Sequence, residues 1–248
     1  MNIQAYLNRF RAELKEERDL LYLTHLQGQH LLHVPYENLD IMNGKEIIID
    51  LDRFYYKIVE KERGGFCFEL SGLFNELLQE LGFQTKLISG TVIRGEWIGK
   101  DCHAASIVTL DTIDYLVDVG YGDGPRKPVP LSGEAVTDVS GTYRAYPMAE
   151  QYNLQKKQDD QWITLYSFSP QHKPLTSFED NCHYLQTSPT SPYKQGWIVT
   201  IATEQGRVTL WGNTLITTQD GIKTKKDFEE EQFLSILQTY FDIKSSSL

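Results

Sequence analysis

The feature that most limits what this chain can fold into is a change of hydrophobic period at Gly82. Upstream, apolar residues recur at three and four. Ile3, Leu7, Phe10 and Leu14 form one run, Leu20, Leu23, Leu26 and Leu31 another, and Leu70, Leu73, Phe74, Leu77, Leu78 and Leu81 a third. That spacing lays an apolar stripe along a helix. Residues 3–33 are therefore predicted to hold at least two helices, and the run after Cys67 a further one stopped by Gly82. Pro35 breaks the first region, and Asp50 restarts a helix as a cap, ended by the paired glycines of KERGG. Beyond Phe83 the pattern becomes short β-rich segments (QTKLISGTVI, AASIVTL, DYLVDVGYG, YRAYP, QYNLQKK, QWITLYSF) divided by turn residues, which predicts an antiparallel sheet or small barrel. GWIVTIAT and GRVTLWGNTLITT add strands, and FEEEQFLSILQTYF adds a closing amphipathic helix. With no internal repeat and no low-complexity linker, the parts are expected to pack directly on one another.

The charge balance narrows the function classes. Thirty-four acids against 24 bases give a net charge of -10, a field that repels polyanions and argues against nucleic acid as a partner. Lys223, Lys225 and Lys226 form a local basic patch that reads either as a phosphate contact or, with the acid run behind it, as a solvated helix start. No run approaches the roughly 18 apolar residues of a membrane span, and the first residues are charged where a signal peptide is apolar. No membrane partner is expected, and the expected location is the cytoplasm. Three cysteines in 248 residues suit a reducing compartment rather than a disulfide framework.

One of those cysteines stands in KERGGFCFEL, at the first turn of the helix that follows. It reads either as a small buried core residue or as a nucleophile, since unpaired N–H groups and the dipole at a helix start favour thiolate. A nucleophile needs a base, and the base an orienting group. His103 in DCHAASIVTL, at the start of one predicted strand, and Asp118 in DYLVDVGYG, at the end of the next, meet that need. Antiparallel strands joined by the DTID turn bring those two ends side by side. Cys102 and Cys182 have no such setting and read as core. His25, His30 and His33 with Glu37 invite a metal reading, but their spacing suits no standard site and Pro35 breaks the geometry. Arg63 is expected to pair with an acid and order the loop before Cys67, with Glu69 either that acid or a solvated residue.

RGGFCFEL, followed by HAASIVTL and DVGYG, resembles the arylamine N-acetyltransferase family. HVPYENLDI is similar to that family's N-terminal Pro-Phe-Glu-Asn-Leu signature, and SFEDNCHYLQTSPTSPY and the closing YFDI also have counterparts in order. The resemblance implies an α+β fold with a cysteine-protease-like Cys-His-Asp core. Its implied parts are a helical bundle bearing Cys67 (1–83), an antiparallel β-barrel bearing His103 and Asp118 (84–190), and an α/β lid (191–248) shorter than in many members. The implied reaction moves an acetyl group from acetyl-CoA, as co-substrate and without a metal, through acetyl-Cys67 to an arylamine, hydrazine or arylhydroxylamine. By the same resemblance Gly120, Gly122 and Gly124 meet the coenzyme's phosphates, and Tyr36, Val92 and Tyr121 line the acceptor pocket. This chain departs from the family pattern with Ser71 for the usual Asn and with tyrosine for phenylalanine at 36 and 121, which bears on acceptor preference. Competing readings are a transglutaminase-like cysteine hydrolase, a family-related amide synthase closing a macrolactam, and a degenerate member that only binds.

Overall fold

The computed structural model describes residues 1–248, with the backbone alone at position 94. Helix α1 (Ile3–Arg9) is capped by Asn2, whose side chain accepts the Ala5 N–H, and α2 (Leu20–His33) by Asp19, which accepts the Tyr22 N–H. After strand β1 (Tyr36–Glu37) and the short α3 (Leu39–Met42), Asp50 caps α4 (Leu51–Tyr55) as its sequence position predicts. This helix runs on as a π-turn over Tyr56–Glu60 and stops there, with Glu62 at φ +53°, before the glycines are reached. Helix α5 (Cys67–Glu80) then buries eleven of its residues, and Gly82 at φ +85° turns the chain away from it.

Eight strands follow: β2 (Gln84–Arg94), β3 (Trp97–Leu110), β4 (Ile113–Val117), β5 (Val129–Pro130), β6 (Val136–Asp138), β7 (Gly141–Met148), β8 (Gln151–Gln158) and β9 (Gln161–Phe168). They pair antiparallel in the order β5-β4-β3-β2-β9-β8-β7-β6, and β5 comes back against β7, so the sheet curls almost into a barrel. Strand β3 starts at Trp97, so His103 lies in mid-strand rather than at a strand start. The polar GKDC stretch conceals this from sequence. A register shift between Gly90 and Val92, with Asp101 at φ +52°, lets the strand continue through it. Helix α5 packs on β2 and β3, so the cysteine helix and the histidine strand share one apolar core.

Helix α6 (Glu179–Thr187) leads to the strands β10 (Ile198–Thr203), β11 (Gly206–Trp211), β12 (Thr214–Gln219) and β13 (Ile222–Asp227), and to α7 (Phe233–Phe241). Val199, Leu210, Leu237 and Phe241 form a second core between this sheet and α7. Lys223, Lys225 and Lys226 are on β13, the exposed edge strand, and not at a helix start. Asp220 and Gly221, both at positive φ, turn β12 into it, and lysines on an edge discourage pairing with another sheet. Strand β1 joins the same sheet from far away in sequence. Tyr36 pairs with Thr200 on β10 and bridges Gly65, so the loop before Cys67 is tied to the C-terminal sheet.

Candidate active site

Cys67 is the first residue of α5 and 3% exposed, which fixes its sulfur at a helix start inside the core. The base predicted for it is nearby: the thiol donates toward the Cys102 carbonyl at 3.6 Å, on the residue before His103. Burial pushes the Cys67 thiol up, reinforced by Cys102 and Cys182 and opposed by the Phe68 amide, which hydrogen bonds the sulfur. Burial thus works against the thiolate that a helix start favours.

His103 faces the carboxylate predicted to orient it. Its Nε2 is 2.8 Å from Asp118 Oδ2, and the same oxygen accepts the Tyr166 hydroxyl at 2.7 Å. Asp118 Oδ1 accepts the N–H groups of Gly120 and Tyr121 at 2.9 and 3.1 Å. Burial alone would raise the Asp118 carboxyl, but the His103 ring and these donors hold it below the ordinary carboxylate range. The rings of Tyr166 and Tyr121 pack against the imidazole at centroid distances of 4.8 and 5.6 Å and restrict its tilt.

The three glycines of the DVGYGDG turn do different things. Gly120 lies against α5, where a Cβ would stand 2.5 Å from Ser71 Oγ and 3.0 Å from Cys67 O, so its missing side chain lets Asp118 approach the cysteine helix. Ser71 Oγ is buried there without a hydrogen bond among the described residues. Gly122, at φ +87°, faces Thr200 and Tyr36 across a cleft, and a Cβ on Gly124 would make only ordinary contact with Tyr121. That cleft, about 300 Å³, is lined by Tyr36, Tyr121, Gly122, Tyr193, Thr200 and Trp211 among others. Two of the three predicted acceptor-pocket residues are therefore in it, whereas Val92 is buried in the barrel opposite Tyr166.

Several contributors escaped sequence reasoning. Gln27 on α2 donates to Asp118 O at 3.4 Å and Pro125 O at 2.9 Å, clamping both ends of the loop 118–125. Tyr166 had a weak signal, an inward tyrosine on a strand whose hydroxyl needs a partner once buried. Arg63 pairs with Glu37 at 2.6 Å and Asp40 at 3.1 Å, not with Glu69. Glu69 is buried as well: it accepts the Phe66 N–H at 2.8 Å, capping α5, and pairs with Lys57 at 2.8 Å. Of the histidines weighed for metal, His30 is buried against Tyr6, its Nε2 2.9 Å from that hydroxyl, and no group of metal-binding side chains occurs among the described residues.

A cysteine at a buried helix start, with an aspartate-bound histidine on an adjoining barrel, defines a protein with a cysteine-protease-like core. Residues 19–247 match the N-acetyltransferase family model. The chain is 28% identical over 273 residues to arylamine N-acetyltransferase 2 of Mus musculus, spanning 98% of this chain and 94% of that protein. It is 29% identical over 243 residues to proansamycin X synthase of Amycolatopsis mediterranei, spanning 92% and 93%. The structure of Mycobacterium marinum arylamine N-acetyltransferase in complex with CoA superposes with a TM-score of 0.91 at 26% identity, over 98% of this chain and 93% of that one. The chain belongs to the arylamine N-acetyltransferase family.

Proposed function

We propose that this chain transfers an acetyl group from acetyl-CoA to a small arylamine, hydrazine or arylhydroxylamine, with Cys67 as nucleophile, His103 as proton carrier and Asp118 as its orienting anion. The observation that carries the reading is the 2.8 Å contact between His103 Nε2 and Asp118 Oδ2, which leaves Nδ1 as the ring nitrogen to take the cysteine proton. In the first half-reaction His103 takes the thiol proton as Cys67 Sγ attacks the acetyl carbonyl. The tetrahedral intermediate then collapses, the bond to the coenzyme sulfur breaks, and His103 returns the proton to the departing thiol. In the second, the acceptor nitrogen attacks acetyl-Cys67, His103 takes the ammonium proton, and the cysteine sulfur leaves with that proton restored. A thioester suits this role, being readily formed and readily attacked by an amine.

The cleft supports small acceptors. At about 300 Å³ it is at the lower end of small-molecule sites, a poor fit for the macrocyclic chain that an amide synthase would close, although one relative is a proansamycin X synthase. Tyr36 and Tyr121 line the cleft, the latter with its hydroxyl 3.4 Å from Leu165 O. Gly122 is the cleft-facing glycine of the coenzyme turn. The chain is read as three units, 1–83, 84–190 and 191–248, working in the cytoplasm. Among the described residues no helix is long and apolar enough to cross a membrane.

The test is steady-state kinetics with acetyl-CoA and a panel of arylamines and hydrazines, following release of the coenzyme thiol. Parallel lines in double-reciprocal plots, with acetylated amine recovered in equal amount, are the expected result. Thiol release matched only by acetate would make the chain a hydrolase.

A further inference from the structure

In a chain of net charge -10, four cations converge on one place. Arg126, Lys156, Arg207 and Lys223 line a cleft of about 430 Å³ between the loop 120–126, strand β8 and the sheet β11–β12. This cleft continues the one beside Tyr121, since Asp123, Lys156, Thr209 and Trp211 line both. The run therefore leads from the rings beside His103 outward to a basic end.

The two arginines there differ in one respect. Arg126 is satisfied: its Nε donates to Ser140 Oγ at 2.7 Å, Nη1 to Thr203 O at 2.5 Å, and Nη2 to Gly206 O. Arg207 donates from Nη1 to Thr200 Oγ1 at 3.0 Å, but its buried Nε and Nη2 make no hydrogen bond among the described residues. Its side chain is only 11% exposed, with Nε 3.4 Å from Asp123 Oδ1 and out of hydrogen-bond alignment. Buried guanidinium donors are nearly always bonded, because leaving them without an acceptor costs free energy that water would otherwise supply. Burial works against the Arg207 charge, Asp123 supports it and the neighbouring Arg126 opposes it again. An arriving anion would relieve that cost.

Asp123 supplies a clue to the anion's position. Its carboxylate is 61% exposed yet lies between Arg207 and Lys156, 3.3 Å from the lysine Nζ, rather than pointing free into solvent as its place between two turn glycines suggests. We propose that Arg207, with Lys156, is the phosphate-binding site for the acyl donor, and that Asp123 holds the place of that phosphate until the donor displaces it. The proposal rests on the acetyl-CoA reading and adds the residues that recognise the donor's charge. Binding then exchanges one anion for another. The site takes a phosphate group, which in the coenzyme is either the diphosphate or the ribose 3′-phosphate.

Two donors that share the chemistry but not the phosphates separate this from a structural role. In Arg207→Gln, the ratio of kcat/KM for acetyl-CoA to that for p-nitrophenyl acetate is expected to fall about tenfold or more, through KM, as a lost charge-assisted hydrogen bond requires. Arg207→Lys should recover part of it. Asp123→Asn, which removes the resident anion, should lower KM for acetyl-CoA. Acetyl-dephospho-CoA identifies the source: loss of discrimination with it assigns the 3′-phosphate, and loss for both coenzymes assigns the diphosphate. Equal slowing of all donors in Arg207→Gln, an unchanged KM, or an Asp123→Asn variant as impaired as Arg207→Gln would overturn the proposal. Millimolar inorganic pyrophosphate should raise the Tm of the wild-type chain and not that of Arg207→Gln; no protection of the wild type also overturns it. That readout needs no turnover, so it separates failure of the anion site from failure of the acetyl-CoA reading. Should Arg207→Gln not fold, Lys156→Gln, whose ion pair is with the exposed Asp123, carries the same comparisons.

Discussion

Two networks of buried charge flank the start of α5, and they are built for different ends. On one side Lys57 meets Asp40 at 2.7 Å and Glu69 at 2.8 Å, while Arg63 meets Glu37 at 2.6 Å. On the other, Asp118 has four donors but a single ionisable partner, His103. In the first network permanent cations are locked among carboxylates. Burial is overcome there by those carboxylates, which hold Lys57 above the ordinary lysine range. In the second network the partner is an imidazole, a group able to take up and give back a proton. Burial of ionisable groups alone does not mark a site; one exchangeable proton beside a nucleophile does. The first network fixes the loop and the N-terminal turn of α5, and the second uses the cysteine placed there.

The largest expected effect breaks the second network at its nucleophile. Cys67→Ala should lower acetyl transfer by more than ~10³-fold while leaving the fold intact, since it removes a single small side chain; circular dichroism and Tm check the second half. Asp118→Asn keeps the shape but removes the anion, and a loss of ~10²–10⁴-fold in kcat/KM is expected by analogy with neutralised triad aspartates. A loss under about tenfold would make Asp118 a structural residue.

Asp118→Asn also carries a pH signature. Because the folded Asp118 carboxyl is held below its ordinary range, its stabilising contribution is present above the unfolded pKa of about 4 and is lost as pH falls through the lowered folded value. The Tm gap between wild type and Asp118→Asn should be widest at neutral pH and close in acid. A gap independent of pH would mean that the carboxylate charge is not what the surrounding donors stabilise.

Breaking the first network should act on stability before activity. Arg63→Met leaves Glu37, which is fully buried, without its guanidinium, at a cost of about 3–5 kcal/mol. Urea denaturation should report it, and the molecules that remain folded should keep the pH profile of the wild type. A changed profile would join the two networks into one. The smallest effect is expected at Gly90, where an alanine Cβ would stand 2.9 Å from Tyr166 Cδ2 and 3.4 Å from His103 Cδ2. A tilt of the imidazole should lower kcat by about tenfold or less, against an unchanged KM.

The same contrast explains what could be read from sequence. Cys67, His103 and Asp118 were legible because each carries a local signal: a helix start after Gly-Gly, and polar residues in apolar strands. Helices α1, α2 and α5 followed from period alone. The partners of those residues were not legible. Gln27 reaches Pro125, Tyr166 reaches Asp118, and Tyr36 pairs with Thr200, all across distances in the chain at which no local pattern operates. Arg63 was expected to have an acid, but Glu37 and Asp40 come to it through the fold, and nearby Glu69 goes to Lys57 instead. Of the two readings of the basic run at Lys223, the helix start fails for the opposite reason: charge patterning marks exposure, and an edge strand and a helix start are equally exposed.

The central claim is that the buried Cys67 becomes acylated because His103, backed by Asp118, can take its proton. Mass spectrometry of the intact chain after mixing with acetyl-CoA, with no acceptor present, tests it most directly. The account predicts a gain of one acetyl group, mapped to Cys67 by peptide analysis, absent in Cys67→Ala, much slower in Asp118→Asn, and discharged on adding an arylamine or hydrazine. An unmodified chain that still converts acetyl-CoA and amine to product, or an acetyl group on Cys102 or Cys182 instead, would contradict it.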